Sequence, residues 1–294
     1  MITEIAPAKI NLYLHIGGMR RDGLHDLASL FVFADGGDVV TAEKSKGLSL
    51  EITGPFGGWL SREPVEQNLV MRAARLLRSE TGLTEGARLT LDKRLPIASG
   101  IGGGSADAAA ALRALVRLWR APIAETKLRR LAFLLGADVP ACLDKSPVEV
   151  SGAGEILTAG PTLPPLWVCL CNPLVPMPTG PVFRAFDTEF PAPPAPVAVK
   201  PTSVLYAGVK EFFENSRNDL QPIAIRRRPV VQMVLNRLAR RPGVIAVRMS
   251  GSGATVFGLF TSAQAAARAA ASMAGAGWWS MSAQIFSSAE RSGG

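Results

Sequence analysis

The chain has 294 residues, of which 48% are hydrophobic and 19% are charged, and its formal net charge is +8. This composition is typical of a globular protein with one large or two medium domains, and it excludes an intrinsically disordered chain. Three cysteines without a C-x-x-C pair, beside only two histidines, exclude a disulfide framework and a usual zinc site and indicate a reducing compartment.

The sequence predicts no membrane partner and no nucleic-acid partner. The first residues lack the basic and apolar regions of a signal peptide, and no run of about 18 apolar residues is free of charge and proline. The arginines are spread among predicted helices and aromatic residues make up only 6%. This spread favours solvated helix faces and an anionic small-molecule ligand over a nucleic-acid surface. We therefore expect a cytoplasmic protein.

The N-terminal part of the chain predicts strands. Apolar residues at 10, 12, 14 and 16 alternate with polar residues that include Lys9 and Asn11, which indicates a half-buried strand with one polar face. Turns that contain glycine separate the apolar segments that follow, and the pattern indicates an antiparallel meander. These segments lie at 27–33, 38–43 and 48–53.

Helices and further strands follow in the first half. The apolar spacing predicts a helix over 68–80 with Asn68 as its N-cap, and a second helix over 125–135. A strand is predicted over 88–95 and a strand pair around 148–157.

A segment rich in proline and glycine at 158–165 indicates a domain boundary. Beyond it we predict strands, helices and an exposed proline-rich loop, arranged as an antiparallel sheet covered by helices. The predicted strands are 167–171, 244–249 and 254–260, the helices are 222–240 and 262–274, and the loop is 191–201. The chain therefore reads as an α+β protein with domains at 1–160 and 161–294.

Four glycines fall within five residues at 100–104, directly before an alanine-rich helical segment. Glycine lets a backbone approach a ligand closely, and the first turn of a helix has unpaired N–H groups at the positive end of its dipole. The stretch therefore predicts an anion cradle suited to phosphate. The alternative is a flexible turn before a helix that Ser105 or Asp107 caps.

Two common phosphate-binding motifs fit this stretch poorly. A P-loop requires Lys-Ser or Lys-Thr after the glycines, and neither is present. A dinucleotide fingerprint opens the first βαβ unit of a chain, whereas a predicted meander precedes these glycines.

Three stretches, at the start, middle and end of the chain, resemble the three motifs of the GHMP kinases. They are P-A-K-I-N-L at 7–12, P-I-A-S-G-I-G-G-G-S-A at 96–106, and the G-S-G turn at 251–253 between two predicted strands. The last would be an ordinary hairpin turn if it stood alone. The resemblance implies the two-domain α+β GHMP kinase fold, with an N-terminal mixed sheet, and implies ATP and Mg²⁺ as cofactors.

The resemblance also implies which residues bind ATP. They are the loop residues together with two positions near the adenine, namely Pro96, Ile97, Ala98, Ser99, Gly100, Ile101, Gly102, Gly103, Gly104, Ser105, Ala106, Asn68 and Lys93.

Further stretches resemble one subfamily of these kinases. They are R-D-G-L-H at 21–25, D-K-R-L-P at 92–96 and L-G-A-D-V-P at 135–140. Its members phosphorylate the tertiary 2-hydroxyl of a cytidyl-diphosphate derivative of methylerythritol in the non-mevalonate isoprenoid pathway. The resemblance implies that the substrate-binding site is lined by Asn11, His25 and Phe183, and that His25 recognises cytosine. Leu24 stands where many members have tyrosine, and leucine offers no aromatic stacking.

Two residues are expected to carry the chemistry. Phosphoryl transfer requires charge neutralisation and an oriented hydroxyl. We expect Asp138 to accept the hydroxyl proton, and Lys9 to keep Asp138 ionised and to stabilise the developing alkoxide. Taken alone, Asp138 is more typically a loop carboxylate and Lys9 a solvated charge on a strand. The three motifs together favour the catalytic roles.

Other readings of the family resemblance stay open. One alternative is a GHMP kinase of the homoserine or mevalonate type. The other is an inactive relative that senses a ligand. The presence of both Lys9 and Asp138 argues against an inactive relative. The magnesium ligands are not assigned, and we expect a monomer or a weak homodimer.

Overall fold

The computed structural model describes residues 1–61, 63–199 and 206–287. Contacts divide the chain into two compact units that alternate along the sequence. The first unit contains Met1–Ala8, Gly36–Ile97 and Gly102–Lys145. The second contains Lys9–Asp35, Ala98–Ile101 and the described residues from Ser146 onward. This division follows spatial contact, and the family domains at 1–160 and 161–294 stay a prediction.

The strands are β1 (Ile2–Met19), β2 (His25–Ser45), β3 (Leu48–Thr53), β4 (Gly86–Asp92), β5 (Val148–Ser151), β6 (Ile156–Ala159), β7 (Trp167–Asn172), β8 (Val244–Met249), β9 (Val256–Phe260) and β10 (Trp279–Gln284). The α-helices are α1 (Gly57–Leu60), α2 (Leu69–Thr81), α3 (Gly103–Trp119), α4 (Glu125–Leu135), α5 (Ala141–Asp144), α6 (Thr179–Glu189), α7 (Tyr206–Glu214), α8 (Gln221–Arg227), α9 (Val230–Ala239) and α10 (Ala263–Ala274).

The sheet of the first unit is mixed, and the predicted antiparallel meander is wrong. β2 is one strand that continues through the glycines at 36 and 37, and its residues Val39–Ser45 pair antiparallel with β4, whereas β3 pairs parallel with β4. Gly37 makes no turn: a Cβ atom there would collide with the carbonyl oxygen of Ala6 in β1. Glycine is required at this position because the two backbones approach closely.

The alanine-rich helix α3 lies at the centre of the first unit, where it packs against α2, α4 and α5. Its side chains from Ala106 to Leu112 are all buried. Alanine has the highest helix propensity and its small side chain fits a crowded interior. Because Gly102 directly precedes the helix, the packing of α3 determines where the glycine loop ends.

The second unit contains an antiparallel sheet in the order β10–β7–β9–β8. Helices α8, α9 and α10 contribute buried side chains to one hydrophobic core with this sheet. β5 and β6 form an antiparallel pair, and β5 also pairs with Ser29–Phe31 of β2. The free cysteines Cys169 and Cys171 are buried in this core.

The single helix predicted over 222–240 is wrong, because it is divided into α8 and α9. Pro229 stands at the N-cap of α9, and Arg228 before it is extended with φ −144°. Proline lacks an N–H group and disfavours helical geometry in the preceding residue, so it ends one helix and begins the next. The predicted loop at 191–201 has no helix or strand over its described residues, and positions 200 and 201 lie outside them.

Within the described ranges, no helix has both the length and the apolar character needed to cross a membrane.

Candidate active site

Hydrogen bonds join parts of all three predicted motifs within the second unit. The main-chain nitrogen of Lys9 donates to the carbonyl oxygen of Ile101 at 2.9 Å. The main-chain nitrogen of Asn11 donates to Oγ of Ser250 at 3.1 Å, and that hydroxyl donates to the carbonyl oxygen of Gly100 at 2.9 Å. The first strand, the glycine loop and the last glycine turn therefore meet although they lie far apart in sequence.

Close backbone contact explains the glycines at this meeting point. Gly100 has φ +78°, and a Cβ atom on it would collide with the carbonyl oxygen of Ser250. A Cβ atom on Gly251 would lie 2.8 Å from the carbonyl oxygen of Gly100. Glycine is therefore required on both sides of the contact.

The first turn of α3 has no side-chain cap. Its N-cap is Gly102, with φ +64°, and no side chain accepts a hydrogen bond from the first turn. The alternative in which Ser105 or Asp107 caps the helix is therefore wrong. The N–H groups at the start of α3, with the positive end of its dipole, can bind an anion.

Lys9 is a buried cation on β1. Its side-chain nitrogen donates to Oδ1 of Asn11 at 3.0 Å and lies 4.1 Å from the centre of the Phe31 ring. The amide nitrogen of Asn11 donates in turn to Oγ of Ser29 at 3.0 Å. Asn11, which was expected to bind substrate, therefore orients the Lys9 ammonium.

Asp138 lies in the turn between α4 and α5 and is partly buried. Gly136 is the C-cap of α4, and Val139 and Pro140 lead into α5. Asp138 belongs to the first unit and Lys9 to the second. Their meeting stays a prediction.

His25 and Phe183 lie side by side, with ring centroids 5.4 Å apart. Both ring nitrogens of His25 face oxygen acceptors: Nδ1 lies 3.1 Å from the carbonyl oxygen of Gly17, and Nε2 lies 3.0 Å from Oδ1 of Asp187. A base that hydrogen-bonds to Nε2 must take the place of Asp187. Leu24, which directly precedes His25 in the sequence, is 53% exposed to solvent.

The two positions expected near adenine have structural partners. Oδ1 of Asn68 accepts from the main-chain nitrogen of Val70 at 2.9 Å, which confirms the predicted N-cap of α2. The Lys93 ammonium is only 3% exposed and donates to Oδ2 of Asp38 at 2.5 Å and to Oδ2 of Asp107 at 2.7 Å. Burial raises the pKa of Asp107, although Lys93 opposes the shift. Burial would lower the pKa of Lys93, but the two carboxylates raise it.

Sequence reasoning missed Asp38, and no signal pointed to it, because a single acid in a predicted strand is usually solvated. It also left N-D-L at 218–220 without a role. Nδ2 of Asn218 donates to the carbonyl oxygens of Met249 and Gly251, each at 2.8 Å, and so shapes the last glycine turn.

Comparison with known proteins agrees with this geometry. The model of the GHMP kinase N-terminal domain matches residues 68–145, and the model of the GHMP kinase C-terminal domain matches residues 208–281. The chain belongs to the GHMP kinase family. It is 51% identical to a 4-diphosphocytidyl-2-C-methyl-D-erythritol kinase from Paramagnetospirillum magneticum over 286 residues, which cover 96% of this chain and 98% of that protein.

Solved structures of GHMP kinases share the fold. The crystal structure of a 4-(cytidine 5'-diphospho)-2C-methyl-D-erythritol kinase matches with a TM-score of 0.79 and 33% identity, over 96% of this chain and 98% of that one. The structure of a homoserine kinase from Cytophaga hutchinsonii matches with a TM-score of 0.71 and 18% identity, over 97% of this chain and 94% of that one. The second likeness shows the fold alone.

Proposed function

We propose that this GHMP kinase transfers the γ-phosphoryl group of ATP to the 2-hydroxyl of 4-diphosphocytidyl-2-C-methyl-D-erythritol, in the non-mevalonate route to isoprenoid precursors. The proposal that ATP phosphates bind here rests on one observation: the start of α3 follows a glycine loop and has no side-chain cap. The full-length relative that is 51% identical supports the choice of substrate.

In the proposed reaction, Asp138 accepts the proton of the 2-hydroxyl. The hydroxyl oxygen then forms a bond to the γ-phosphorus while the bond to the β–γ bridging oxygen breaks, and ADP leaves. The Lys9 ammonium stabilises the developing negative charge on the attacking oxygen. Its bond to Asn11 supports this role, because it holds the ammonium in one place.

ATP enters as its magnesium complex. Within the part of the chain that is described, no group of three or more His, Cys, Asp or Glu side chains could hold a metal ion. Mg²⁺ commonly binds one or two carboxylates together with substrate phosphates. We therefore propose that the phosphates supply most of its ligands.

For base recognition, we propose that cytosine lies against Phe183 with its polar edge toward His25. The half-buried Phe183 ring beside His25 supports this placement. Asp187 fixes the ring orientation before the base binds.

A substrate panel tests the proposal. Purified protein is incubated with Mg²⁺, ATP and one of four acceptors: the cytidyl substrate, mevalonate, homoserine or galactose. ADP formation is expected with the cytidyl substrate only. Turnover of mevalonate or homoserine at a higher kcat/KM would contradict the substrate assignment, and ATP binding without turnover of any acceptor would indicate an inactive ligand sensor.

A further inference from the structure

Three buried ionisable residues join the two ends of the glycine loop. Asp38, Lys93 and Asp107, here called the buried triad, are 0%, 3% and 3% exposed and all lie in the first unit. Lys93 stands where the chain leaves β4 toward the loop, and Asp107 stands in α3 beyond it.

Asp38 holds the entry to the loop. Its Oδ1 accepts from the main-chain nitrogens of Arg94 at 2.6 Å and Leu95 at 2.8 Å, while its Oδ2 accepts from the Lys93 ammonium. The same ammonium donates to Asp107 at 2.7 Å. One continuous path of hydrogen bonds therefore runs from the loop entry to the helix at the loop exit.

The triad also touches the loop itself. A Cβ atom on Gly103, the first residue of α3, would lie 3.0 Å from Nζ of Lys93 and 3.6 Å from Oδ2 of Asp38. The main-chain N–H of Gly103 is among those that a helix start leaves for an anion. The Lys93 ammonium therefore packs directly against a backbone segment proposed to contact phosphate.

The charges of the triad are unbalanced and buried. Two carboxylates share one ammonium, and Oδ1 of Asp107 has no hydrogen-bond partner among the described residues. A buried polar atom without a partner is costly, and a feature that serves stability alone would be better satisfied. This cost favours a role in placing the loop.

We propose that Lys93 and Asp107 are positioning residues for the phosphate loop, and that the bridge between them holds the loop entry and the start of α3 at the spacing that the ATP triphosphate requires. The inference rests on the proposed function, in which this loop binds ATP. This positioning role differs from the expectation that Lys93 lies near adenine. A side chain that acts through the loop backbone affects the binding of every triphosphate equally, whatever its base.

Two kinds of variant separate the bridge from its charge. Lys93→Met/Asp107→Asn removes the bridge and keeps the formal charge of the site at −1, because it removes one positive and one negative charge together. Asp107→Asn alone keeps an oxygen that can accept from Lys93 but changes the formal charge to zero. Asp107→Leu is a second variant that removes the bridge, in case the double variant does not fold. Lys127→Met is the control, since Lys127 pairs with Glu80 on the surface.

Calorimetry with ATP, GTP and inorganic triphosphate, on variants with wild-type circular dichroism, tests the proposal. Loss of the bridge is expected to weaken all three by the same factor, on the order of tenfold or more. The KM of the acceptor at saturating ATP should stay unchanged. Asp107→Asn and the Lys127 control should bind within about threefold of wild type.

The inference is overturned if only ATP binding weakens, since Lys93 would then read the base. It is also overturned if Asp107→Asn is as damaging as the bridge-removing variants, or if a folded bridge-removing variant binds normally. A wild-type chain that binds triphosphates but phosphorylates no cytidyl substrate would contradict the proposed function alone. A wild-type chain that binds no triphosphate would contradict both.

Discussion

The main-chain nitrogen of Asn11 donates to Oγ of Ser250 although 239 residues separate the two positions. The same hydroxyl donates to the carbonyl oxygen of Gly100, so one small side chain connects the first strand, the glycine loop and the last glycine turn. Its removal leaves one buried and one partly buried backbone group without this partner.

We expect Ser250→Ala to lower the free energy of unfolding by about 1–3 kcal/mol, because buried polar groups that lose a partner are costly. The KM for ATP should rise as well, since the loop loses one of its supports. Urea unfolding and steady-state kinetics measure the two effects. Ser61→Ala, which removes a hydroxyl that bonds within one turn of α1, is the control. Unchanged stability and KM would show that the hydroxyl is dispensable.

Gly103→Val should abolish ATP binding in a protein that still folds. The new side chain would collide with the buried triad, because its Cβ atom would already lie 3.0 Å from Nζ of Lys93, and the collision would displace the start of α3 that is proposed to bind phosphate. Calorimetry with ATP is the measurement. Gly18→Val is a matched control, because nothing lies within 4 Å of a Cβ atom there. Wild-type affinity in folded Gly103→Val would exclude this loop as the phosphate site.

His25→Ala should raise the KM for the cytidyl substrate far more than the KM for ATP. A base that loses a buried hydrogen-bond partner binds more weakly by about 1–3 kcal/mol. Asp187→Asn should have a smaller effect in the same direction, because Asp187 only orients the ring through Nε2. Equal changes in the two KM values would place His25 outside the base pocket.

Asp138→Asn should lower kcat by a factor on the order of 10²–10⁴ with little change in substrate affinity, because it keeps the shape and removes the basic oxygen. Lys9→Ala should also lower kcat. If the two residues act as one unit, the double variant should be little worse than either single variant. Near-normal turnover of Asp138→Asn would end the general-base assignment. An experimental structure with the two charged groups more than about 8 Å apart would count heavily against the pair.

His15 should make stability depend on pH. Burial lowers the pKa of His15, and its Nε2 accepts from the main-chain nitrogen of Arg217, which requires an unprotonated nitrogen. The unfolded chain, with a histidine pKa of about 6.5, therefore takes up a proton first as the pH falls. The free energy of unfolding should be highest above that pH and decrease below it. Urea unfolding at pH 7.5 and 5.5 should show a smaller decrease for His15→Asn, and an identical decrease would contradict the assignment.

The local sequence pattern was sufficient to predict an element where all the residues that determine it lie in one stretch of the chain. Asn68 caps α2 as its residue type and position indicate, and β7 covers the predicted strand at 167–171. The pattern failed where the partner is remote. The glycines at 36 and 37 read as a turn because glycine is common in turns, but Gly37 is required by the approach of Ala6 in another strand.

The sequence by itself determined the family, through three short motifs in a fixed order, and with it the class of reaction. It also determined the helices α2, α3, α4 and α10, because the apolar spacing that indicates each of them is local. Only the tertiary structure decided that Asp107 pairs with Lys93 instead of capping α3, and that Asn11 holds Lys9. The physical reason is that a polar side chain pairs with whatever group the folded chain brings within about 3 Å, and local sequence does not specify that group when it comes from a distant segment.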